Sequence, residues 1–410
     1  MSNLTRRQFG GAALAFGANA RNLLGATSID ETLRTGIGRR KIPCVAAMVA
    51  TSSKVLYQGA FGKRDGASGL DITPGSIFSI ASMTKAITSA SAMQLVEQGK
   101  VAVDEPVYKH LPQLAGVQVI AGEDSAGKPI LRPPATPITL RHLLTHTSGL
   151  CYANWSDELT KYLAKTGTAP PPGTVAPVTP LLFDPGTRWQ YGTGIDFAGK
   201  LVEAISGLTL EQYFQKNIFE PLGMTDTSFI LPPAKFERLV STYRRQPDGS
   251  LKQDNRTQPN PPRVYNGGGG LFSTCGDYVK FAQMILRHGT RDGSASRGQI
   301  LSAKTVALMS NNQIGGVRAG ILKTANPAIS DDVDFHAGHT DKYTFGFLMN
   351  PEPYEGGRSA GSLAWAGIAN TFYWIDPMRD RCAVIMMQFL PFVDKEAVGL
   401  LRDFERAVYA

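Results

Sequence analysis

Ser82-Met83-Thr84-Lys85 decides the reading of this chain. The four residues follow the strand-like run Ile77 to Ile80 and open a segment in which Met83, Ile87 and Ala90 recur at helical spacing, ending near Gly99. Residues three apart share a helix face, so the Lys85 ammonium can meet the Ser82 hydroxyl. A serine at a helix start also lies among backbone N–H groups without intrahelical partners, which favours negative charge developing there. A serine hydroxyl becomes a nucleophile only when a neighbouring group takes its proton, and Ser-x-x-Lys brings the two together. Taken alone the pattern is weak, because an N-cap serine followed by a surface lysine fits it equally well.

Outward from this helix, Cys44 to Ser52 and Lys54 to Gly62 are apolar, β-branched runs separated by a polar turn, which predicts an antiparallel hairpin. At the other end of the chain Tyr343 to Met349, Ser362 to Asp376 and Cys382 to Leu390 each read as a strand. Lys395 to Tyr409 then reads as a helix with Val398, Leu401, Phe404 and Val408 on one face. Strands at both ends around a helical middle predict an α/β protein. Its central antiparallel sheet is built from both terminal segments, residues 28–110 and 290–410, with a mostly helical lobe over 111–289 inserted between them. Within the lobe, the stripe Leu201, Val202 and Ile205 stops at Gly207, and Thr209 with Gln212 forms a capping box. A further helix is expected over Gly276 to Arg287, capped by Thr274 and followed by Gly289. The Pro-rich stretches at 170–180 and 259–262 read as loops.

Composition narrows the function. With 42% hydrophobic and 19% charged residues the chain can bury a large core, which excludes disorder. The net charge of +8 comes from scattered Lys and Arg with no run of five like charges, so no nucleic-acid partner is expected. No apolar run approaches the roughly eighteen residues needed to span a bilayer. Cys44, Cys151, Cys275 and Cys382 contain no CxxC pair, so neither a zinc ribbon nor a redox dithiol is encoded. Free, mostly buried thiols are expected, although Cys44 and Cys382 fall in predicted strands and are candidates to be neighbours. Over residues 1–20, Thr5-Arg6-Arg7-Gln8-Phe9, the Gly/Ala-rich run Gly10 to Gly17 and Ala18-Asn19-Ala20 resemble a bacterial twin-arginine export signal. A periplasmic or secreted location follows from it, with the cytoplasm as the alternative.

The decisive support for Ser82 is an ordered set of further motifs. Leu143-Leu144-Thr145-His146-Thr147-Ser148-Gly149-Leu150 comes first, then Phe183-Asp184-Pro185-Gly186 leading to Tyr191, and Glu220-Pro221-Leu222-Gly223-Met224. Gly268-Gly269-Gly270-Leu271 and Trp365-Ala366-Gly367 complete it. With Ser82-Met83-Thr84-Lys85 this set resembles the serine β-lactamase and penicillin-binding-protein superfamily, closest to the family VIII carboxylesterases, over roughly residues 30–405. The resemblance implies a β-lactamase-like fold, Ser82 as nucleophile, Lys85 as its first partner and Tyr191 as a second general base. It also implies an oxyanion hole from the backbone N–H groups of Ser82 and Ile368, and substrate contacts at Trp365, Gly367 and Thr193. A phenol serves as a base only where nearby positive charge stabilises its phenolate, and Lys85 carries that charge. No cofactor or metal is expected. Two positions depart from the family pattern. Tyr191-Gly192-Thr193 stands where Tyr-x-Asn or Tyr-x-Ser is usual, and Ala366 where the esterases often have glycine.

The activity implied is cleavage of short-chain carboxylic esters through an acyl-enzyme. A β-lactamase, a D-amino-acid peptidase, an acyltransferase and a non-catalytic penicillin-binding-type sensor are the alternatives. Trp365 occupies the position of the lysine in the Lys-Thr-Gly motif, offering an apolar indole face where the β-lactamases offer a cation to a carboxylate. A small neutral ester is the expected partner; oligomeric state is left open. Gly357-Arg358-Ser359-Ala360-Gly361 matches the GxSxG nucleophile elbow. All six histidines precede Ser359, however, and a strand-like segment follows it, so a flexible loop is expected. The pairs His142/His146 and His336/His339 have metal-ligand spacing but no completing motif, and Gly267 to Gly270 reads as a tight backbone passage at the rim of the site.

Overall fold

A computed structural model describes residues 28–167, 178–293 and 298–410. The proposed export signal over residues 1–20 and most of the Pro-rich stretch at 170–180 lie outside them. Helix α1 covers 28–40 and leads into strand β1 (Cys44–Ala50), whose seven residues are all buried. The expected hairpin forms with β2 (Val55–Asp65), in the register Cys44 to Gly62. Six more strands complete one antiparallel sheet: β3 (Leu70–Asp71), β4 (Lys342–Tyr343), β5 (Leu348–Asn350), β6 (Ser362–Gly367), β7 (Thr371–Asp376) and β8 (Arg381–Met386). Their order is β4-β5-β6-β7-β8-β1-β2-β3. The two ends of the chain meet at the β1–β8 seam, from Ala46 opposite Met386 to Ala50 opposite Cys382.

Three runs read as single strands are broken, each by a residue with positive φ. Tyr343 to Met349 is the hairpin β4–β5 around Gly346, at φ +99°. Ser362 to Asp376 is the hairpin β6–β7, turned at Asn370, φ +57°. The Asn370 side chain holds that turn by donating to the Phe389 and Pro391 carbonyls and accepting from the Val393 N–H. Cys382 to Leu390 stops at Met386 as β8, and beyond Gln388, φ +59°, Phe389–Leu390 pairs in parallel with Tyr243–Arg245 in a separate three-stranded sheet. The β6–β7 reversal escapes the periodicity because both of its strands are almost wholly buried, so neither shows the apolar–polar alternation that would separate them. The sheet also separates Cys44 from Cys382. Ala50 faces Cys382 while Cys44 lies six residues back along β1, about 20 Å away at strand rise. All four thiols are free and buried, and burial pushes those of Cys44 and Cys382 up to about 12.

Helix α2 (Thr84–Glu97) is buried on every side from Thr84 to Leu95, because Ala86, Ser89, Ala90, Ser91 and Ala92 let its neighbours approach closely. It packs on α4 (Gly194–Ser206), which also contacts the short α3 (Leu140–Leu144). Helix α5 (Cys275–Leu286) and the C-terminal α6 (Lys395–Tyr409) cover opposite sheet faces. Tyr373 of β7 meets Tyr278 of α5 at 4.8 Å, and the next residue, Trp374, meets Phe404 of α6 at 5.6 Å. Thus α5, assigned to the lobe by sequence, lies on the sheet, where its Cys275 and Gln283 donate to the Ala46 and Thr51 carbonyls. Its Thr274 cap, the α4 stop at Gly207 and the Thr209–Gln212 capping box all form as read. Among the described residues no helix is long and apolar enough to cross a membrane.

Candidate active site

The nucleophile position is set by a sharp local turn. Phe78–Ser79 pairs with Phe272–Ser273, Ala81 adopts φ +42°, and the 3₁₀ turn Ala81–Met83 runs directly into α2. A non-glycine residue at positive φ carries strain that the surroundings must hold, and here it places Ser82 at the head of α2. Lys85, one turn on, is fully buried. Its Nζ donates to Ser82 Oγ at 3.1 Å, to the Tyr152 hydroxyl at 3.1 Å and to the Gly268 carbonyl at 2.6 Å. Three acceptors for three N–H bonds is the coordination of an ammonium. The Tyr191 hydroxyl lies 2.7 Å from Ser82 Oγ on another side. Its ring is held by His146, Trp365 and Tyr152 at centroid distances of 4.9, 5.1 and 5.3 Å.

Two residues that sequence reasoning missed complete the cluster. The Tyr152 hydroxyl accepts from Lys85 and donates a short hydrogen bond to Asp196 Oδ2. Burial, reinforced by the Asp196 charge, holds the Tyr152 hydroxyl well above its ordinary range, so it stays a neutral phenol. Burial also raises the Asp196 carboxyl, opposed by the charge of Lys85 and by hydrogen bonds from Tyr152 and Asn266. A signal for Asp196 exists in the sequence. It is the one acid in the run Gly194-Ile195-Asp196-Phe197-Ala198-Gly199, whose six residues are all buried. Tyr152 carries no comparable signal, since an aromatic in a loop usually packs.

A cavity of about 200 Å³ opens in front of Ser82, walled by Tyr191, Trp155, Trp365, Ile368 and Phe392, with Asn154 and Asn266 among its polar groups. Among the described residues no Lys or Arg side chain lines it. Its floor is the free edge of β6, since the last pair with β5 is Leu348 to Ala364 and the strand continues unpaired on that side through Trp365, Ala366 and Gly367. Gly367 itself does not line the cavity. A Cβ there would overlap the Ile80 carbonyl, so glycine lets β6 close on the turn that carries Ser82. Thr193 is buried as the N-cap residue of α4, away from the cavity lining, and is not among the three acceptors around Lys85.

The competing motifs have other roles. The Gly357 to Gly361 loop is tied down, contrary to the flexibility expected. Buried Arg358 makes a bidentate pair with Glu405 at 2.7 Å, and the Ser359 N–H donates to Asp376. The strand β6 follows it, not a helix. His142 completes the capping box of α3. His146, at φ +58°, packs behind Tyr191, where burial and the charge of Lys85 push its pKa well below the ordinary histidine value and keep it neutral. His336 and His339 stack at 3.8 Å and pair with Asp341 and Glu352. The glycine run at 267–270 is the expected close passage, and its Gly268 carbonyl is the one that receives Lys85.

The beta-lactamase family model matches residues 29–406. The chain belongs to the beta-lactamase family. A monacolin J acid methylbutanoyltransferase from Aspergillus terreus is 33% identical, covering 93% of this chain and 95% of that protein. A lovastatin esterase from Penicillium rubens is 31% identical, covering 93% and 98%. Among solved structures, unliganded simvastatin synthase (LovD) from Aspergillus terreus superposes with a TM-score of 0.79 at 30% identity, over 94% of this chain and 98% of that one. The fold is therefore the β-lactamase-like one, and this member of the family stands with serine hydrolases and acyltransferases. The narrower likeness to family VIII carboxylesterases and a bacterial source find no support in these fungal matches.

Proposed function

We propose that the chain is a serine enzyme that takes a short acyl group from a neutral ester onto Ser82 and releases it to water or to an alcohol. The observation that carries this reading is the convergence on Ser82 Oγ of Tyr191 at 2.7 Å and Lys85 at 3.1 Å. With its three protons engaged, Lys85 acts as the charge and Tyr191, as phenolate, takes the serine proton. Oγ then bonds to the carbonyl carbon, and the oxyanion is held by the N–H groups of Ser82 and Ile368. The ester C–O bond breaks as Tyr191 returns the proton to the leaving alkoxide. Water or an alcohol repeats the sequence on the acyl-enzyme and frees Ser82. Removing one oxyanion donor costs about 3 kcal/mol in other hydrolases.

The neutral-substrate reading rests on Trp365 and on a cavity that no cation lines among the described residues. A β-lactam carboxylate would forgo there a charge-assisted contact of about 1.5–3 kcal/mol. The acceptor is the finer question. Names of the relatives support both answers, methylbutanoyl transfer for one and ester cleavage for another. Incubation with p-nitrophenyl butyrate, with and without a secondary alcohol, and product analysis by mass spectrometry separate the two. We expect butyrate alone without alcohol and a mixture with the new ester when alcohol is present. Equal or greater kcat/KM for a cephalosporin than for p-nitrophenyl butyrate would overturn the proposal, as would fluorophosphonate labelling at Ser359 in place of Ser82.

A further inference from the structure

Lys85 is in an unfavourable place for a cation. It is fully buried, and as the second residue of α2 it lies at the end of a helix whose dipole repels positive charge. A buried ammonium without a counter-charge costs several kcal/mol. The titratable groups facing it are Tyr152 from the loop after α3, Tyr191 and Asp196 from the start of α4 and the loop before it, and His146. His146 is held neutral and Tyr152 is a phenol, which leaves Asp196 as the acid among them. Asp196 sits in the first turn of α4, where the helix dipole stabilises negative charge. The two charges do not touch. Tyr152 stands between them, accepting from one and donating to the other.

We infer that Tyr152 and Asp196 are positioning residues that hold Lys85 as an ammonium aimed at Ser82, in place of the polar side chain expected two positions after Tyr191. The inference rests on Ser82 being the nucleophile. It explains the Tyr191-Gly192-Thr193 departure. Thr193 is buried at the N-cap of α4 and does not line the cavity, and Lys85 finds its third acceptor in Tyr152, on a different loop. Gly268 also follows from it. A Cβ at that position would lie 2.5 Å from the Tyr152 hydroxyl and would overlap the Asp196 carboxylate, while the Gly268 carbonyl must reach Lys85.

The test compares the unmodified protein with Tyr152→Phe, Asp196→Asn and the double variant. The rate of Ser82 acylation by a fluorophosphonate is followed by intact-protein mass spectrometry from pH 5 to 10, with Tm recorded for each. Loss of the carboxylate or of the bridging hydroxyl makes the ammonium easier to deprotonate. Each single variant is expected to label about tenfold or more slowly at neutral pH, and the alkaline limb of its profile to move down by about one pH unit. The double variant is expected to be no slower than the slower single one, because both act through Lys85. A purely structural role would lower the rate equally at every pH. A profile whose alkaline limb stays where it is in the unmodified protein, whether or not the rate is lower overall, would therefore overturn the inference. Tyr152→Phe keeps the ring and removes only the hydroxyl, so it decides the matter even if Asp196→Asn does not fold. Absence of Ser82 labelling in the unmodified protein would instead overturn the underlying serine reading, and the inference with it.

Discussion

Tyr191→Phe separates chemistry from folding more cleanly than any other single change at this site. The substitution deletes one hydroxyl, 2.7 Å from Ser82 Oγ, and leaves the ring with its contacts to His146, Trp365 and Tyr152. The stability at risk is one hydrogen bond at the cavity surface, with a net worth of about 1 kcal/mol. The rate at risk is that of general acid–base help, about 10²- to 10⁴-fold, or roughly 3–5 kcal/mol of barrier. The variant should therefore unfold within a few degrees of the unmodified protein while kcat for p-nitrophenyl butyrate falls a hundredfold or more. Burst kinetics give the rate and calorimetry the stability. Turnover within about tenfold of the original would refute the reasoning, because another group would then be taking the serine proton. Lys85 would be the candidate, and its three hydrogen bonds would have to be re-read as those of a neutral amine.

Two further changes probe the rest of the molecule. Glu405→Gln strips the charge from the carboxylate that receives the Arg358 backbone N–H, Nε and Nη2, leaving a buried guanidinium unpaired. We expect a loss of about 3–5 kcal/mol in denaturant unfolding with unchanged fluorophosphonate labelling of Ser82, and a matching loss of labelling would tie the Gly357 to Gly361 loop to catalysis. His146 is neutral when folded and takes a proton near pH 6.5 when unfolded, so the unfolded chain binds more protons below that pH and stability falls on acidification. Its share reaches about 2 kcal/mol by pH 5, and His146→Asn, which tolerates the same positive φ, should flatten the pH dependence of Tm between 7 and 5.

Much of the fold was legible because the chain marks its edges. The β1–β2 hairpin, the cap at Thr274 and the amphipathic α6 each carry a local signal that tertiary structure had no reason to override. What failed was the counting of strands near the C-terminus. There Ser362 to Asp376 is apolar on both faces, and the reversal depends on Asn370 bonding to Phe389, Pro391 and Val393, some twenty residues away in sequence. At the site, Ser82, Lys85 and Tyr191 were read correctly as a group that meets, because an ordered set of motifs placed them. Thr193 was expected to contact substrate for the same reason, and it does not line the cavity. A motif position tells which backbone point is near the site, not whether its side chain turns inward.

The residues that escaped notice share a physical cause. No pattern of spacing marks Tyr152, which lines the cavity, or Asp196, which does not; they are fixed by the electrostatic needs of Lys85. Once a cation is buried at a helix N-terminus, an acid must lie within reach, and its place is set by three-dimensional packing of α4 on α2 rather than by distance along the chain. The same need ties together positions that look independent in sequence. Gly268 must be bare because Asp196 and Tyr152 fill the space its Cβ would take, and its carbonyl must face Lys85 because an ammonium has a third proton to place. Gly267 in turn meets Gly199 of α4 with no room for a side chain on either, which brings α4, and Asp196 with it, against the glycine run. Substitution at Gly267 or Gly199 is thus expected to act on Ser82 through the charge state of Lys85, although neither lines the cavity, whereas Gly268 both lines it and receives Lys85.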